Sequence, residues 1–154
     1  MGSIAGPEQL VWGFDSFEGL PHLTNEDEGS GAGWVGFRCS GPDGEHAVPA
    51  TFAALNVPMD NVRVVKGWFE DTLPVRRQEI GKIAVLRVDS DWYASTKFCL
   101  ETLYASVVSG GAVIIDDYFT FTGCRKAVDE FRAERGITAK LHVTDPMSEA
   151  YWYK

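Results

Sequence analysis

The most informative segment of the chain is Ile83-Ala84-Val85-Leu86-Arg87-Val88-Asp89-Ser90-Asp91. A mainly apolar run, rich in β-branched side chains, ends there at two carboxylates. A second run, Ala112-Val113-Ile114-Ile115, ends in the same way at Asp116-Asp117. Short apolar runs of this kind are typical of buried parallel strands, and open α/β sheets bind ligands at the carboxyl ends of such strands. The pattern therefore predicts an α/β protein whose chemistry lies at one edge of a sheet.

The carboxylates at these two strand ends indicate a divalent cation. If the strands are neighbours, four side chains converge on one spot: Asp89, Asp91, Asp116 and Asp117. Their mutual repulsion would be costly without a cation, and Mg2+ prefers oxygen ligands. Acidic residues are also common in turns after strands, so each aspartate alone has a purely structural interpretation. The adjacent pair Asp116-Asp117 fits that interpretation least well, because its two charges repel each other.

The rest of the chain predicts one doubly wound, mostly parallel α/β domain over residues 1–154. Further strands are expected at 11–14, 62–65 and 112–115, and an antiparallel terminal hairpin at 141–143 and 151–153. Helices are expected at 49–56, 94–108 and 123–135, the last with Ala127, Val128 and Phe131 on its inner face. Residues 71–74 are expected to form a turn. The acidic, glycine-rich stretch at about 24–36 predicts a mobile loop, because it cannot pack a core.

Composition and charge exclude several classes of protein. The net charge of −8 disfavours binding to a nucleic-acid backbone. No run of about 18 apolar residues occurs, so no contact with a membrane is expected. The first seven residues lack the features of a signal peptide.

Cys39, Cys99 and Cys124 have no metal-binding spacing and predict reduced thiols in a cytoplasmic protein. An aromatic C-terminus and an unpaired sheet edge would favour a homo-oligomer.

Two further positions are candidates for binding a nucleotide-like cofactor. Asp15 follows the first strand, where a carboxylate commonly accepts hydrogen bonds from ribose hydroxyls, and it would equally serve as a helix cap. Trp68 and Phe69 form either an aromatic wall for a flat base or a core pair. Neither Gly-x-x-x-x-Gly-Lys-Ser/Thr nor Gly-x-Ser-x-Gly occurs, which excludes P-loop ATPases and serine hydrolases. Arg87 is expected to pair with Asp89 locally rather than to bind a substrate.

Four segments in the same order carry a resemblance to a known family. They are Trp12–Pro21 (WGFDSFEGLP), Gly67–Pro74 (GWFEDTLP), Leu86–Thr96 (LRVDSDWYAST) and Gly110–Tyr118 (GGAVIIDDY). Over residues 11–154 the chain resembles the macrocin O-methyltransferase family, whose members methylate sugar hydroxyls with S-adenosylmethionine and Mg2+. The resemblance implies a Rossmann-like methyltransferase fold and a small-molecule acceptor, either a sugar or a related natural product.

The resemblance also implies roles for individual residues. Asp89, Asp116 and Asp117 would hold Mg2+, and Asp89 would also be the base for the sugar hydroxyl, with Asp91 in support. This agrees with general chemistry, because a sugar hydroxyl is a poor nucleophile that needs both a cation and a proton acceptor.

The remaining implied roles concern the cofactor and the acceptor. Asp15 would bind the ribose of S-adenosylmethionine, with Ser16 as a further contact. Gly67 and Trp68 would lie near the adenine. The acidic loop at 24–36 would act as a lid.

One difference from the family pattern concerns the start of the chain. The family places a strand and a glycine-rich turn before the segment that begins at Trp12, and here only ten residues precede Val11. The expected fold therefore lacks that first strand and loop, and the strands that carry Asp15 and Asp89 are expected to pair directly. Two alternatives stay open: a non-catalytic remnant with a methyltransferase fold, and a glycosyltransferase that holds a metal through Asp89-Ser90-Asp91.

Overall fold

Strands and helices alternate along the chain in the computed structural model, which describes residues 9–28, 32–38, 44–144 and 148–154. The strands are β1 (Val11–Asp15), β2 (Val62–Lys66), β3 (Ile83–Val88), β4 (Val107–Ile115), β5 (His142–Val143) and β6 (Ala150–Tyr153). The helices are α1 (Gly44–Ala54), α2 (Phe69–Ile80), α3 (Tyr93–Leu103) and α4 (Thr122–Glu134). The predicted α/β class is confirmed. The predicted thiol of Cys39 and the middle of the acidic loop, residues 29–31, lie outside the described residues.

The strands form two sheets rather than one mostly parallel sheet. In the first, β1 pairs in parallel with β2, which places Asp15 opposite Lys66. The second has the order β3-β4-β6-β5, and only its β3–β4 pair is parallel. β6 runs antiparallel to both β4 and β5, so the predicted C-terminal hairpin is confirmed.

The predicted direct pairing of the strands that carry Asp15 and Asp89 is wrong. Within the described residues, β1 pairs with β2 alone and β3 pairs with β4 alone, so each strand keeps one open edge. Val85 in β3 is 58% exposed, as a residue of an edge strand can be. The helix α2 contacts both β1 and α3. A helix, and not backbone pairing, therefore connects the two sheets.

Two prolines lie inside helices. The sequence suggested a helix start at Pro49, which lies inside α1, and a turn at Pro74, which lies inside α2. The turn predicted at 71–74 is wrong, because these residues belong to α2, and α1 begins before Pro49 rather than at it. In α2, Leu73 is only 1% exposed, and Thr72 Oγ1 donates to the Trp68 carbonyl at 2.8 Å. Burying a leucine contributes about 1.5–3 kcal/mol, which offsets much of the roughly 3 kcal/mol cost of an interior proline such as Pro74.

The glycine pair Gly110-Gly111 lies within β4. The helix predicted to reach residue 108 ends at Leu103, and β4 begins at Val107. The pairing register between β3 and β4 shifts between Ile83 and Val85, which marks a bulge opposite the glycines. Gly110, at a φ of 79°, donates its N–H to the Lys154 carbonyl at 2.7 Å. The glycines are thus required by an irregular strand.

The core lies between the second sheet and the helices α3 and α4, which pack against each other. The predicted inner face of α4 is confirmed, since Ala127, Val128 and Phe131 are all fully buried. Gly136, with a φ of 62°, follows the helix and ends it. Trp152 in β6 is also fully buried. No helix in the described part of the chain is long and apolar enough to cross a membrane.

Candidate metal and cofactor site

Aspartates from two strands meet at one sheet edge because β3 and β4 are parallel neighbours. Val88 lies opposite Ile115, so the residues that follow both strands leave the sheet together. The Asp116 N–H donates to the Val88 carbonyl at 3.0 Å. One carboxylate oxygen from each of Asp89, Asp116 and Asp117 lies within 4.8 Å of the others. The structure therefore brings together the three residues predicted to bind a metal.

Asp91 lies at the same edge but outside this group of three. Its φ of 60° is in the left-handed region, which is strained for a residue with a side chain. The turn is held by the Trp92 N–H, which donates to the Ser90 carbonyl at 2.6 Å, and by a buried hydrogen bond of 3.0 Å between the Ser90 and Thr96 hydroxyls. The backbone of Asp91 is thus held in place beside the candidate metal site.

Negative charge accumulates at this edge and is only partly balanced. Burial raises the pKa of Asp91 to about 7 and that of Asp117 to about 6, and neighbouring aspartates add to both shifts. Burial and the charge of Asp116 also raise the pKa of Asp89, although Arg87 acts in the opposite direction. Three converging carboxylates with excess negative charge fit a hard divalent cation such as Mg2+, which takes oxygen ligands.

Arg87 forms ion pairs with three carboxylates at this edge. Its Nη2 lies 2.6 Å from Asp116 Oδ1 and 3.3 Å from Asp89 Oδ2, and its Nη1 lies 3.4 Å from Glu149 Oε2. The predicted local pairing with Asp89 is confirmed. Sequence reasoning missed the other two partners, because they come from elements distant in the chain.

The C-terminal hairpin also contacts the candidate metal site. Ser148 Oγ donates to the Asp116 carbonyl at 2.6 Å, and the Phe119 N–H donates to the Ser148 carbonyl at 3.0 Å. Sequence reasoning missed Ser148 as well. The one signal for it was the predicted hairpin, because the pairing of β6 with β4 places Ala150 opposite Ile115, next to the metal residues.

The first sheet supplies the predicted cofactor residues at its own carboxyl end. The Asp15 carbonyl accepts a hydrogen bond of 2.9 Å from the Gly67 N–H, so the ends of β1 and β2 are joined. Asp15 Oδ1 accepts a hydrogen bond of 2.7 Å from the Phe17 N–H. This carboxylate therefore fixes a tight turn rather than capping a helix. Ser16 is buried, and its Oγ accepts a hydrogen bond of 3.1 Å from the Glu18 N–H.

Gly67 and Trp68 connect β2 to α2. Gly67 has a φ of 135°, and a Cβ there would lie 2.8 Å from Thr72 Cγ2, so a glycine is required. Trp68 precedes the first residue of α2 and is half-buried. The backbone thus passes close to the end of β1 at Asp15.

The candidate ribose carboxylate, Asp15, acts electrostatically on the metal edge. The charge of Asp15 contributes to the raised pKa of both Asp89 and Asp91, which places Asp15 within electrostatic range of the metal edge. The charge of Asp15 thus adds to the negative charge at the metal edge.

A buried aspartate joins the acidic loop to this site. Asp27 is 1% exposed and accepts hydrogen bonds from the Thr24 N–H at 3.0 Å, the Thr24 hydroxyl at 2.7 Å and the Tyr93 N–H at 2.8 Å. Trp92 Nε1 donates to the Pro21 carbonyl at 2.9 Å. The loop is thereby attached through Asp27 to Tyr93, and the segment before it is attached through Pro21 to Trp92. The mobility of residues 24–36 stays a prediction, and sequence reasoning missed Asp27.

The fold is that of the Rossmann-like methyltransferases. The chain superimposes on the structure of the O-methyltransferase NovP with a TM-score of 0.77 and 35% sequence identity. The match covers 96% of this chain and 60% of the NovP chain. The chain also superimposes on the structure of CalS11, a calicheamicin methyltransferase, with a TM-score of 0.75 and 22% identity. That match covers 96% of this chain and 61% of the CalS11 chain. At that identity CalS11 supports the fold alone.

The chain belongs to the macrocin O-methyltransferase family, because the sequence profile of the family described as "Macrocin-O-methyltransferase (TylF)" matches residues 1–154. It is 37% identical over 155 residues to demethyldecarbamoylnovobiocin O-methyltransferase from Streptomyces niveus, covering 96% of the chain and 56% of that relative. It is 40% identical over 144 residues to 8-demethyl-8-(2,3-dimethoxy-alpha-L-rhamnosyl)-tetracenomycin-C 4'-O-methyltransferase from Streptomyces olivaceus, covering 90% and 51%. The chain thus spans about half the length of these curated relatives.

Proposed function

We propose that this protein transfers a methyl group from S-adenosylmethionine to a hydroxyl group of a sugar or related small molecule, assisted by Mg2+. The observation that carries the proposal is the group of three carboxylates at a sheet edge, with Asp91 and Asp15 within electrostatic range of one another. Family membership supports the reaction. The Streptomyces olivaceus relative is named for a rhamnosyl compound, which supports a sugar as the acceptor.

Asp89, Asp116 and Asp117 would hold the metal. They offer oxygen ligands from two adjacent strand ends, within the mutual distance of 4.8 Å that a single ion can bridge. Bound Mg2+ would stabilise the negative charge that develops on the acceptor oxygen. The Ser148 hydroxyl and the Val88 carbonyl fix the backbone of Asp116 from both sides, which keeps this ligand in place.

We assign the general base to Asp91 rather than to Asp89. A carboxylate that binds a cation is a weaker base, because the cation stabilises its anionic form. Asp91 lies outside the group of three ligands and is held beside it by a strained turn. Asp91 would take the hydroxyl proton as the acceptor oxygen forms its bond to the methyl carbon and the carbon–sulfur bond of the donor breaks.

Asp15 would bind the ribose hydroxyls of the cofactor. Its Oδ1 is engaged by the Phe17 N–H, which orients the carboxylate and leaves Oδ2 for a ligand. Ser16, Gly67 and Trp68 surround this position at the ends of β1 and β2, where the Gly67 backbone approaches closely. These residues form the wall that would receive the nucleoside.

Calorimetric titration with S-adenosylhomocysteine, with and without Mg2+, tests this cofactor site. We expect micromolar binding that weakens about 10- to 100-fold in Asp15→Ala, because hydrogen bonds to a charged group contribute about 1.5–3 kcal/mol. Glu18→Ala is the matched control. It removes the same charge from an exposed residue three positions along the chain and is expected to bind like the wild type.

The alternatives predict different results in the same experiment. A folded chain that binds Mg2+ but no S-adenosylhomocysteine would contradict the cofactor site and favour a non-catalytic protein. Binding of a nucleotide-sugar together with Mn2+ would favour the glycosyltransferase interpretation of Asp89-Ser90-Asp91.

A further inference from the structure

We propose that Arg87 is an internal counter-ion that competes with the divalent metal for Asp89 and Asp116, and that Glu149 retains Arg87 when the metal binds. This inference rests on the proposed metal site. In this proposal Arg87 and Glu149 set the affinity of the site for the metal, and neither of them is a metal ligand.

The first observation is that one guanidinium nitrogen contacts two of the three proposed ligands. Arg87 Nη2 lies 2.6 Å from Asp116 Oδ1 and 3.3 Å from Asp89 Oδ2. Among the described residues Arg87 forms its ion pairs with Asp89, Asp116 and Glu149, and it acts on Asp117 only electrostatically. The guanidinium thus partly neutralises the same carboxylates that a metal would use.

The second observation is that the other terminal nitrogen of the guanidinium, Nη1, has a partner of its own. Arg87 Nη1 lies 3.4 Å from Glu149 Oε2, on the C-terminal hairpin. Glu149 is itself positioned, because the Thr144 hydroxyl donates to its Oε1 and the Thr144 N–H donates to its carbonyl at 3.3 Å. Nη2 can therefore release Asp89 and Asp116 while Nη1 keeps its ion pair with Glu149.

Electrostatics gives the direction of the effect. A guanidinium that contacts two ligands lies within a few ångströms of a cation bound to them, and the two positive groups repel each other. Arg87 also reduces repulsion among the carboxylates when no metal is bound, which further favours the metal-free state. Both effects lower the affinity for Mg2+, and together they correspond to a factor of about ten. A purely orienting residue would instead raise the affinity.

The test is calorimetric titration of the full chain with Mg2+. Arg87→Gln is expected to bind Mg2+ about ten-fold more tightly than the wild type, and to melt at a lower temperature without the metal. Glu149→Gln is expected to bind Mg2+ more weakly, by about three- to ten-fold, because Arg87 then stays with the ligands. In the double variant most of the Glu149 effect should disappear. Arg76→Gln is the control, since Arg76 pairs with Glu79 within α2.

The outcomes separate this inference from the metal site. Absence of Mg2+ binding by the wild type would overturn the metal site and the inference with it. Wild-type binding with unchanged or weaker binding by Arg87→Gln would overturn the inference alone. If Arg87→Gln fails to fold, Arg87→Lys decides the question. Lysine keeps the charge but has one nitrogen, so it cannot contact Glu149 and the ligands separately, and we expect it to bind Mg2+ as weakly as Glu149→Gln. Wild-type affinity in Arg87→Lys would contradict the proposal.

Discussion

Asp117→Asn is expected to weaken Mg2+ binding by at least about 100-fold, and to stabilise the folded chain when no metal is present. Outer partners of a metal site typically change affinity by 10- to 100-fold, and loss of a charged ligand should exceed that range. Asp117 is the cleanest of the three ligands to replace, because the ion pairs of Arg87 involve Asp89, Asp116 and Glu149.

The increase in stability follows from the crowding of charge. Burial and the neighbouring Asp116 raise the pKa of Asp117 to about 6, above its ordinary value of 3.8. At pH 7 the ionised side chain therefore opposes folding, and its replacement by a neutral amide removes that cost. After allowance for solvent screening, the expected gain in the free energy of unfolding is about 1 kcal/mol.

The control for both measurements is Asp60→Asn, which removes a charge from an exposed residue before β2. It should change neither Mg2+ affinity nor the free energy of unfolding by a measurable amount. A structural role for Asp117 predicts the reverse of our result, with lower stability in Asp117→Asn and unchanged affinity for Mg2+. Calorimetry and chemical denaturation at pH 7 together distinguish the two.

Gly123→Ala is expected to destabilise the chain by about 2–4 kcal/mol, although alanine normally favours a helix. A Cβ at Gly123 would overlap Asp27 Oδ1 and lie 2.9 Å from Asp27 Cγ and 3.2 Å from the Tyr93 nitrogen. Asp27 cannot move aside without losing hydrogen bonds to Thr24 and Tyr93. Overpacking and the lost hydrogen bonds should therefore outweigh the roughly 1 kcal/mol that alanine gains over glycine in a helix.

A double-mutant cycle isolates this contact. Asp27→Ala alone should also be destabilising, because it removes the acceptor for the buried hydrogen bonds of the loop. With Asp27 already shortened, Gly123→Ala meets no carboxylate and should cost little or become stabilising. Gly13→Ala is the control for a glycine in β1, because a Cβ there would have no neighbour within 4 Å. Additive effects of the two changes, measured by denaturation, would contradict the packing of Asp27 against Gly123.

The parts of the fold that could be predicted are those with a local signal. The β-branched run before Asp89 and the apolar run before Asp116 each predicted a strand and its functional end. The inner face of α4, with Val128 and Phe131, followed from helical spacing. Parallel neighbours then required the aspartates to meet, which is why the candidate metal residues were identified without a structure.

The parts that could not be predicted depend on contacts between distant residues. Pro74 suggested a turn, whereas burial of Leu73 against the core keeps α2 helical. The sequence likewise has no local pattern for the division into two sheets, or for the contacts that α2 makes with both β1 and α3. Asp27 and Glu149 likewise contact the site only through the tertiary fold. Their neighbours in sequence gave no indication of those partners.

We propose that this chain carries out metal-assisted methyl transfer with Asp91 as the base. The most direct test of this claim is the transfer of a radiolabelled methyl group from S-adenosylmethionine to rhamnosylated natural products with free sugar hydroxyls. We predict transfer in the presence of Mg2+ and none after chelation. We also predict a rate about 10²- to 10⁴-fold lower in Asp91→Asn, with Mg2+ binding retained. Transfer that persists in a chelator, or that is unchanged in Asp91→Asn, would contradict the claim.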